Sequence, residues 1–276
     1  MRDLDYTINV SLRNLRPFFR VIRGARTVPA GSIVGMIRLR NEQDLLQDTL
    51  DHLSGIVDGI VVFDDASTDR SREIAVGHPH VIEVIVNRHW RRRNRIWEET
   101  ANRRILYARA KRHWPAWVFY SDADERFVGD IRSFLQNAGP EVHGLRVNLF
   151  DAYMTPEDHA PHREGQPLLD FRSSFGPEQR RILMAWRPEA SVDFTTRDAR
   201  EPQGVPGPFV DRFECQHYGK ALSEAQWEET CRYYVDNFPV YRDKWLARMG
   251  KALHTESDFG TPLYSWVDVT SHAVDI

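Results

Sequence analysis

Asp122 and Asp124 stand two residues apart at the end of an aromatic run, Trp117-Val118-Phe119-Tyr120. That spacing lets two carboxylates converge on one hard divalent cation, which prefers oxygen ligands and completes its shell with water and phosphate oxygens. Asp64 and Asp65 lie in the run Val62-Phe63-Asp64-Asp65-Ala66-Ser67-Thr68-Asp69. They can accept hydrogen bonds from a nucleobase imide or from ribose hydroxyls, or one of them can cap the helix that follows. Glu42 closes the run Arg38-Leu39-Arg40-Asn41-Glu42. It reads either as a first-turn helix acid stabilised by the dipole or as a ligand-facing carboxylate beside Arg38 and Arg40. The basic run Arg88-His89-Trp90-Arg91-Arg92-Arg93-Asn94-Arg95 has three readings: a solvated loop, a nucleic-acid patch, or a clamp for a diphosphate through Arg93 and Arg95, since guanidinium forks match phosphate oxygens. A single tryptophan is not a stacking platform, which speaks against nucleic acid as a partner.

These groups need elements to position them. Ile33 to Ile37, Ile60 to Phe63, Val81 to Val86 and Trp117 to Tyr120 read as buried strands. Between them, Leu45, Leu46, Thr49, Leu50 and Leu53 share a helical face, a helix follows Asp69, and Ile96 to His113 is a long helical pattern. Continuous apolar strands separated by helices predict an α/β fold: a Rossmann-type, mixed but mainly parallel sheet flanked by helices. Ligands of such sheets bind outside the carboxyl ends of the strands, which is where all the residues above fall. The organisation expected is a basic arm or helix over 1–30, a regular α/β half over 31–140 and a less regular half over 141–276, together one compact domain. Strands are expected at Gly144 to Phe150 and Arg180 to Trp186, loops at Thr155 to Phe175 and Glu201 to Pro208, and a helix from Ser223, where Ser223 and Gln226 form a capping box. The tail after Gly250 reads as a loosely held arm.

Composition narrows the classes. Over 276 residues, 37 basic and 40 acidic side chains leave a net charge of −3, against binding nucleic acid by bulk charge. Two cysteines, Cys215 and Cys231, exclude a disulfide framework or a cysteine zinc cluster. No apolar run approaches the roughly 18 residues of a membrane helix, and the N-terminus lacks the apolar core of a signal peptide, so a cytoplasmic enzyme is expected. The arm's arginines, among them Arg13, Arg16, Arg20, Arg23 and Arg26, alternate with apolar side chains. They can pack on the domain or make a peripheral membrane contact.

The order and spacing of Ile33 to Glu42, Val62 to Asp69 and Trp117 to Glu125 resemble those of family 2 glycosyltransferases of the GT-A fold. The resemblance implies a hexosyltransferase with a UDP- or GDP-sugar donor, a divalent metal (Mn²⁺ or Mg²⁺) and inversion by direct displacement. It implies a nucleotide-sugar-binding half over 31–140 and an acceptor-side half over 141–276. Asp64 and Asp65 would hold base and ribose, Asp122 and Asp124 would be the Asp-x-Asp pair, and His217 would complete the metal site. Arg180 and Arg181 match a basic position from which a side chain can reach the leaving phosphates. The base that activates the acceptor departs from the family pattern. Asp193, Asp198 and Glu201 are the carboxylates in the corresponding region, with Glu125 as a further candidate. The acceptor can be a saccharide, a lipid-linked carrier or a peptide. Two other classes stay open: a nucleotidyl- or phosphoryl-transfer enzyme, which would want a glycine-rich loop that Arg38 to Glu42 lacks, and a non-catalytic module that binds nucleotide sugar.

Overall fold

The computed structural model describes residues 19–90 and 95–276. In chain order, β1 (Phe19–Arg23) precedes β2 (Ile33–Leu39), α1 (Gln43–Ser54), β3 (Gly59–Asp64), α2 (Ser71–Gly77), β4 (Val81–Asn87), α3 (Arg95–Ala110) and β5 (Trp117–Ser121). The strands β4-β3-β2-β5 form a parallel core. Alternation along them decides the layers. Ile33 and Ile37, Ile60 and Val62, Trp117 and Phe119 face one side, where α1 covers them with Leu46, Leu50 and Leu53. Val34 and Met36, Val61 and Phe63, Val118 and Tyr120 face the other, where α3 adds Leu106, Tyr107 and Ala110. Each fully buried side chain of this kind contributes about 1.5–3 kcal/mol, so register is fixed on both faces at once.

The second half extends the same sheet. β6 (Glu125–Val128), α4 (Ile131–Asn137), β7 (Gly144–Tyr153), β8 (Ser174–Phe175), β9 (Glu178–Trp186) and β10 (Phe209–His217) lead to α5 (Glu224–Asn237), α6 (Arg242–Leu246), α7 (Trp266–Val269) and β11 (Val274–Asp275). The full order is β1-β4-β3-β2-β5-β9-β7-β10-β6. β9 is antiparallel to both β5 and β7, and β10 is parallel to β7. The carboxyl ends of β7 and β10 therefore lie at the same rim as that of β5. β5 and β6 are joined through Asp122, Ala123 and Asp124 alone, although β9, β7 and β10 come between them in the sheet. Four strand spacings are about 19 Å, whereas the chain from Ser121 to Glu125 can span only about 14 Å. The sheet must therefore curl until β6 folds back on β5, and the rings of Phe119 and Phe127 meet at 4.9 Å.

Three expectations change. Residues 19–23 are a strand and not a helix: they pair with β4 as the sheet's edge, where exposed Arg20 and Arg23 discourage further strand addition. The rest of the basic arm, residues 1–18, lies outside the described residues. The tail after Gly250 is not loose. Ala252 and Val269 are buried, His254 N–H donates to the Met154 carbonyl, and β11 pairs with β9. β10 was missed because its side chains alternate only weakly between exposed and half-buried. Among the described residues no helix is long and apolar enough to cross a membrane.

One half-buried histidine makes stability depend on pH. His52 Nε2 accepts the Phe127 N–H at 2.9 Å, which requires a neutral ring. Burial, with the charge of Arg126, lowers its pKa from 6.5 to about 4. The unfolded chain takes up this proton first, so stability is intact above about pH 6.5 and falls by about 3 kcal/mol as pH drops to about 4. Urea unfolding at pH 7 and pH 5 should show the decline, and His52→Gln should lack this component.

Candidate active site

The rim of the parallel core is held together by arginine. Asp65 is fully buried, and both its carboxylate oxygens are taken: Oδ1 accepts from Asn87 Nδ2 at 2.8 Å and Oδ2 from Arg95 Nη2 at 2.6 Å. Arg38 approaches the same Oδ2 at 3.5 Å and pairs with Glu99 at 3.2 Å. Tyr233 on α5 donates to Glu99, which draws that helix over the rim. Asp64, also buried, accepts from the Ser67 N–H at 2.8 Å and from Arg72 at 2.7 Å. It closes the turn that follows β3, while the first N–H of α2, that of Ser71, is taken by Asp69 and not by Asp64. Arg40 donates to the carbonyls of Asp65 and Ala66. The guanidinium carbons of Arg40 and Arg95 lie 3.7 and 3.8 Å from the Trp90 ring centroid. Two such groups cannot share one face at that distance, so the indole is sandwiched between them. Asn41 and Ala66, side by side at the ends of β2 and β3, both take left-handed backbone conformations (φ 56° and 60°). Such strain in non-glycine residues clusters at ligand sites.

At the end of β5 the first acid of the pair is already engaged. Asp122 accepts from the Tyr120 hydroxyl at 2.9 Å and pairs with Arg200 Nε at 3.2 Å. Arg200 Nη2 also reaches both oxygens of Glu125, at 2.7 and 2.9 Å. Burial works against the Asp122 charge, but Arg200, Arg103 and Arg38 outweigh it and hold its pKa at about 2. Glu125 moves the other way: burial and the Asp122 charge raise it against the pull of Arg200.

Asp124 is different. Its Oδ2 lies 3.5 Å from His217 Nε2, and neither side chain is more than a quarter exposed. Behind the imidazole, Nδ1 lies 2.5 Å from Asp151 Oδ1. Register explains the meeting, because His217 on β10 is paired with Asp151 on β7 and with Glu125 on β6. Burial disfavours the imidazolium, yet Asp124 and Asp151 on either side raise its pKa to about 10. Gly219 keeps the gap open: a Cβ there would sit 2.9 Å from Asp124 Oδ2 and 3.0 Å from His217 Nε2. Burial together with the charges of Asp124 and Asp122 pushes the Glu42 carboxyl well above the usual range.

The remaining candidates scatter. Asp193 is spent on the Phe194 N–H and on Arg104 of α3, and Glu201 accepts the Leu183 N–H. Asp198 accepts the Tyr241 hydroxyl at 2.9 Å. Arg181 turns away to Asp211 and Asp275, whereas its strand neighbour Arg180 turns inward to Asp151 at 2.6 Å. Arg95 is an internal brace, and Arg93 lies outside the described residues. Sequence reasoning overlooked Arg200, Arg103, Glu99, Asp151 and Lys220. Asp151 carried a usable signal, since it follows an expected strand as directly as Asp64 does. Arg200 carried none: it lies in an irregular stretch between Asp198 and Glu201, outside any strand or helix pattern. Among the described residues no group of three or more His, Cys, Asp or Glu side chains is gathered for a metal ion.

Residues 36–141 match the model of Glycosyl transferase family 2. That segment runs from β2 to just before β7 and carries Asp64, Asp65, Asp122 and Asp124. An uncharacterized protein of Mycobacterium tuberculosis and one of Mycobacterium bovis are each 32% identical over 133 residues, which is 45% of this chain and 31% of theirs. The chain thus spans about a third of the length of these curated relatives. Among solved structures it is similar to a mannosyltransferase of Pyrobaculum calidifontis in complex with GDP-Man and Mn²⁺, with TM-score 0.39, 17% identity, 81% of this chain and 71% of that one. A putative glucose-1-phosphate thymidylyltransferase of Bacillus anthracis in complex with sucrose aligns with TM-score 0.31 and 12% identity, over 87% and 93%.

Proposed function

We propose that the protein is a family 2 glycosyltransferase that moves a hexose from a nucleoside-diphosphate sugar to an acceptor hydroxyl, with inversion. The observation that carries this reading is the meeting of Asp124 and His217 across a gap kept clear by Gly219, at the carboxyl rim of a parallel sheet. One carboxylate and one imidazole are few ligands, but a cation that is also bound by substrate phosphates and water needs few from the protein. The pair therefore fits a divalent metal, and an imidazole among oxygen ligands favours Mn²⁺ over Mg²⁺. Bound there, such an ion supplies Lewis-acid stabilisation of the charge that grows on the leaving diphosphate. Arg38 and Arg40 supply fixed positive charge at the same rim. Asp122, locked to Arg200 and Tyr120, holds the acidic turn in place.

For the acceptor base we favour Asp198. Asp193 is ion-paired with Arg104 and Glu201 accepts a strand N–H, whereas Asp198 accepts from a neutral hydroxyl, that of Tyr241, and two residues beyond it the chain reaches Asp122 through Arg200. Asp198→Asn should lower kcat by about 10²–10⁴ with donor binding unchanged in calorimetry. A parallel loss of donor affinity would place the residue elsewhere in the reaction. The overall reading is tested by incubating the protein with UDP- and GDP-sugars and Mn²⁺. Release of nucleoside diphosphate supports it, pyrophosphate release indicates nucleotidyl transfer, and binding without turnover indicates a sugar-nucleotide-binding module.

A further inference from the structure

A chain of alternating charge runs from the C-terminal segment to His217. Asp258 Oδ2 lies 2.7 Å from Lys220 Nζ, and Lys220 Nζ lies 3.0 Å from Asp151 Oδ2. Asp151 Oδ1 lies 2.5 Å from His217 Nδ1, and His217 Nε2 faces Asp124. Lys220 is 6% exposed, an environment that a cation tolerates only when fully paired. Its remaining donor reaches the Tyr153 hydroxyl at 3.3 Å, and that hydroxyl in turn accepts the Asp258 N–H at 3.1 Å. Arg248 closes the outer end on Asp258 at 2.6 Å. Both oxygens of Asp151 are thus occupied, Oδ2 by Lys220 and Oδ1 jointly by His217 and Arg180. A carboxylate held at both oxygens cannot rotate, so it fixes the plane of the imidazole and engages Nδ1. A ring nitrogen's partner decides which nitrogen is left to face a ligand. Here Nε2 is left, pointing at Asp124 across the gap above Gly219.

We propose that the C-terminal segment is a working part of the site: Asp258 and Lys220, acting through Asp151, are positioning residues that present His217 Nε2 to the cation. The inference rests on the reading of His217 as a metal ligand. It assigns a role to residues beyond 250 and links their docking on the core to cation affinity. Loss of an outer partner of a ligating histidine costs typically about 10–100-fold in affinity, and Lys220 and Asp258, one and two residues further out than Asp151, should act at the lower end of that range.

The test uses the full chain with Mn²⁺ as the probe and reads two quantities by electron paramagnetic resonance: affinity, and the spin-echo modulation from a directly coordinated imidazole nitrogen. Wild type should show nitrogen modulation. Asp258→Asn and Lys220→Met should bind Mn²⁺ about 10-fold more weakly and lose much of that modulation, and Lys220→Arg should restore both. Asp258 is the safer variant, because its loss leaves Lys220 paired with Asp151. Unchanged affinity and modulation in Asp258→Asn would overturn the positioning role alone. Absence of nitrogen modulation in the wild type would overturn the metal reading beneath it.

Discussion

Asp65→Ala should destabilise the fold by about 3–5 kcal/mol, the cost of breaking a buried ion pair by removing one partner. The Arg95 side chain is 1% exposed and would be left without its closest carboxylate, while the Asn87 amide would lose its acceptor. For a domain of this size the melting temperature should fall by roughly 10 °C, which calorimetry or circular dichroism would detect. This differs from the sequence expectation, in which Asp65 holds base and ribose and its loss mainly raises the Michaelis constant for the donor. Asp64→Ala provides the contrast. Its partner Arg72 is 38% exposed and can return to water, so the expected cost is mainly the lost hydrogen bond from the Ser67 N–H, about 1 kcal/mol. An Asp65→Ala protein as stable as Asp64→Ala would show that the buried pair is not what holds α3 to the rim.

Asp124→Ala should abolish cation-dependent donor binding and leave the fold intact. Among the described residues the carboxylate has one close ionic neighbour, His217, while the structural contact of this residue, from the Tyr218 N–H, is to its backbone carbonyl and survives the substitution. Mn²⁺ affinity should fall by more than the roughly 10–100-fold that loss of an outer partner produces. Gly219→Ala should have the same effect from a different cause, because its Cβ occupies the gap without removing either ligand. Titration of both variants with Mn²⁺, alongside their melting curves, checks this; Mn²⁺ binding at wild-type strength in Asp124→Ala would move the cation elsewhere.

Much of the frame was legible before any coordinates. The four core strands, α1 with its Leu45-to-Leu53 face, α3 and the Ser223 cap are all local patterns, and the structure has each of them. Asp64, Asp65, Asp122 and Asp124 do lie at or just past the carboxyl ends of β3 and β5, as the sequence placed them. What sequence could not supply was who pairs with whom. That Asp65 is consumed by Arg95, or that Arg200 crosses to Asp122, depends on contacts between residues 30 or more apart. β10 was invisible because a half-exposed strand lacks strong alternation. Its register, which sets His217 between Asp151 and Glu125, is a property of three strands and not of one.

The tight passage from β5 to β6 also constrains how this chain can change over time. Three residues bridge strands that the sheet order would otherwise hold well apart, so the tether works like a drawstring on the barrel-like curl. Side chains at 122–124 can be exchanged without altering that tension, but one added residue would slacken it and let the mouth of the crevice widen. The curl thus fixes the length of this turn, independently of what the site asks of its side chains.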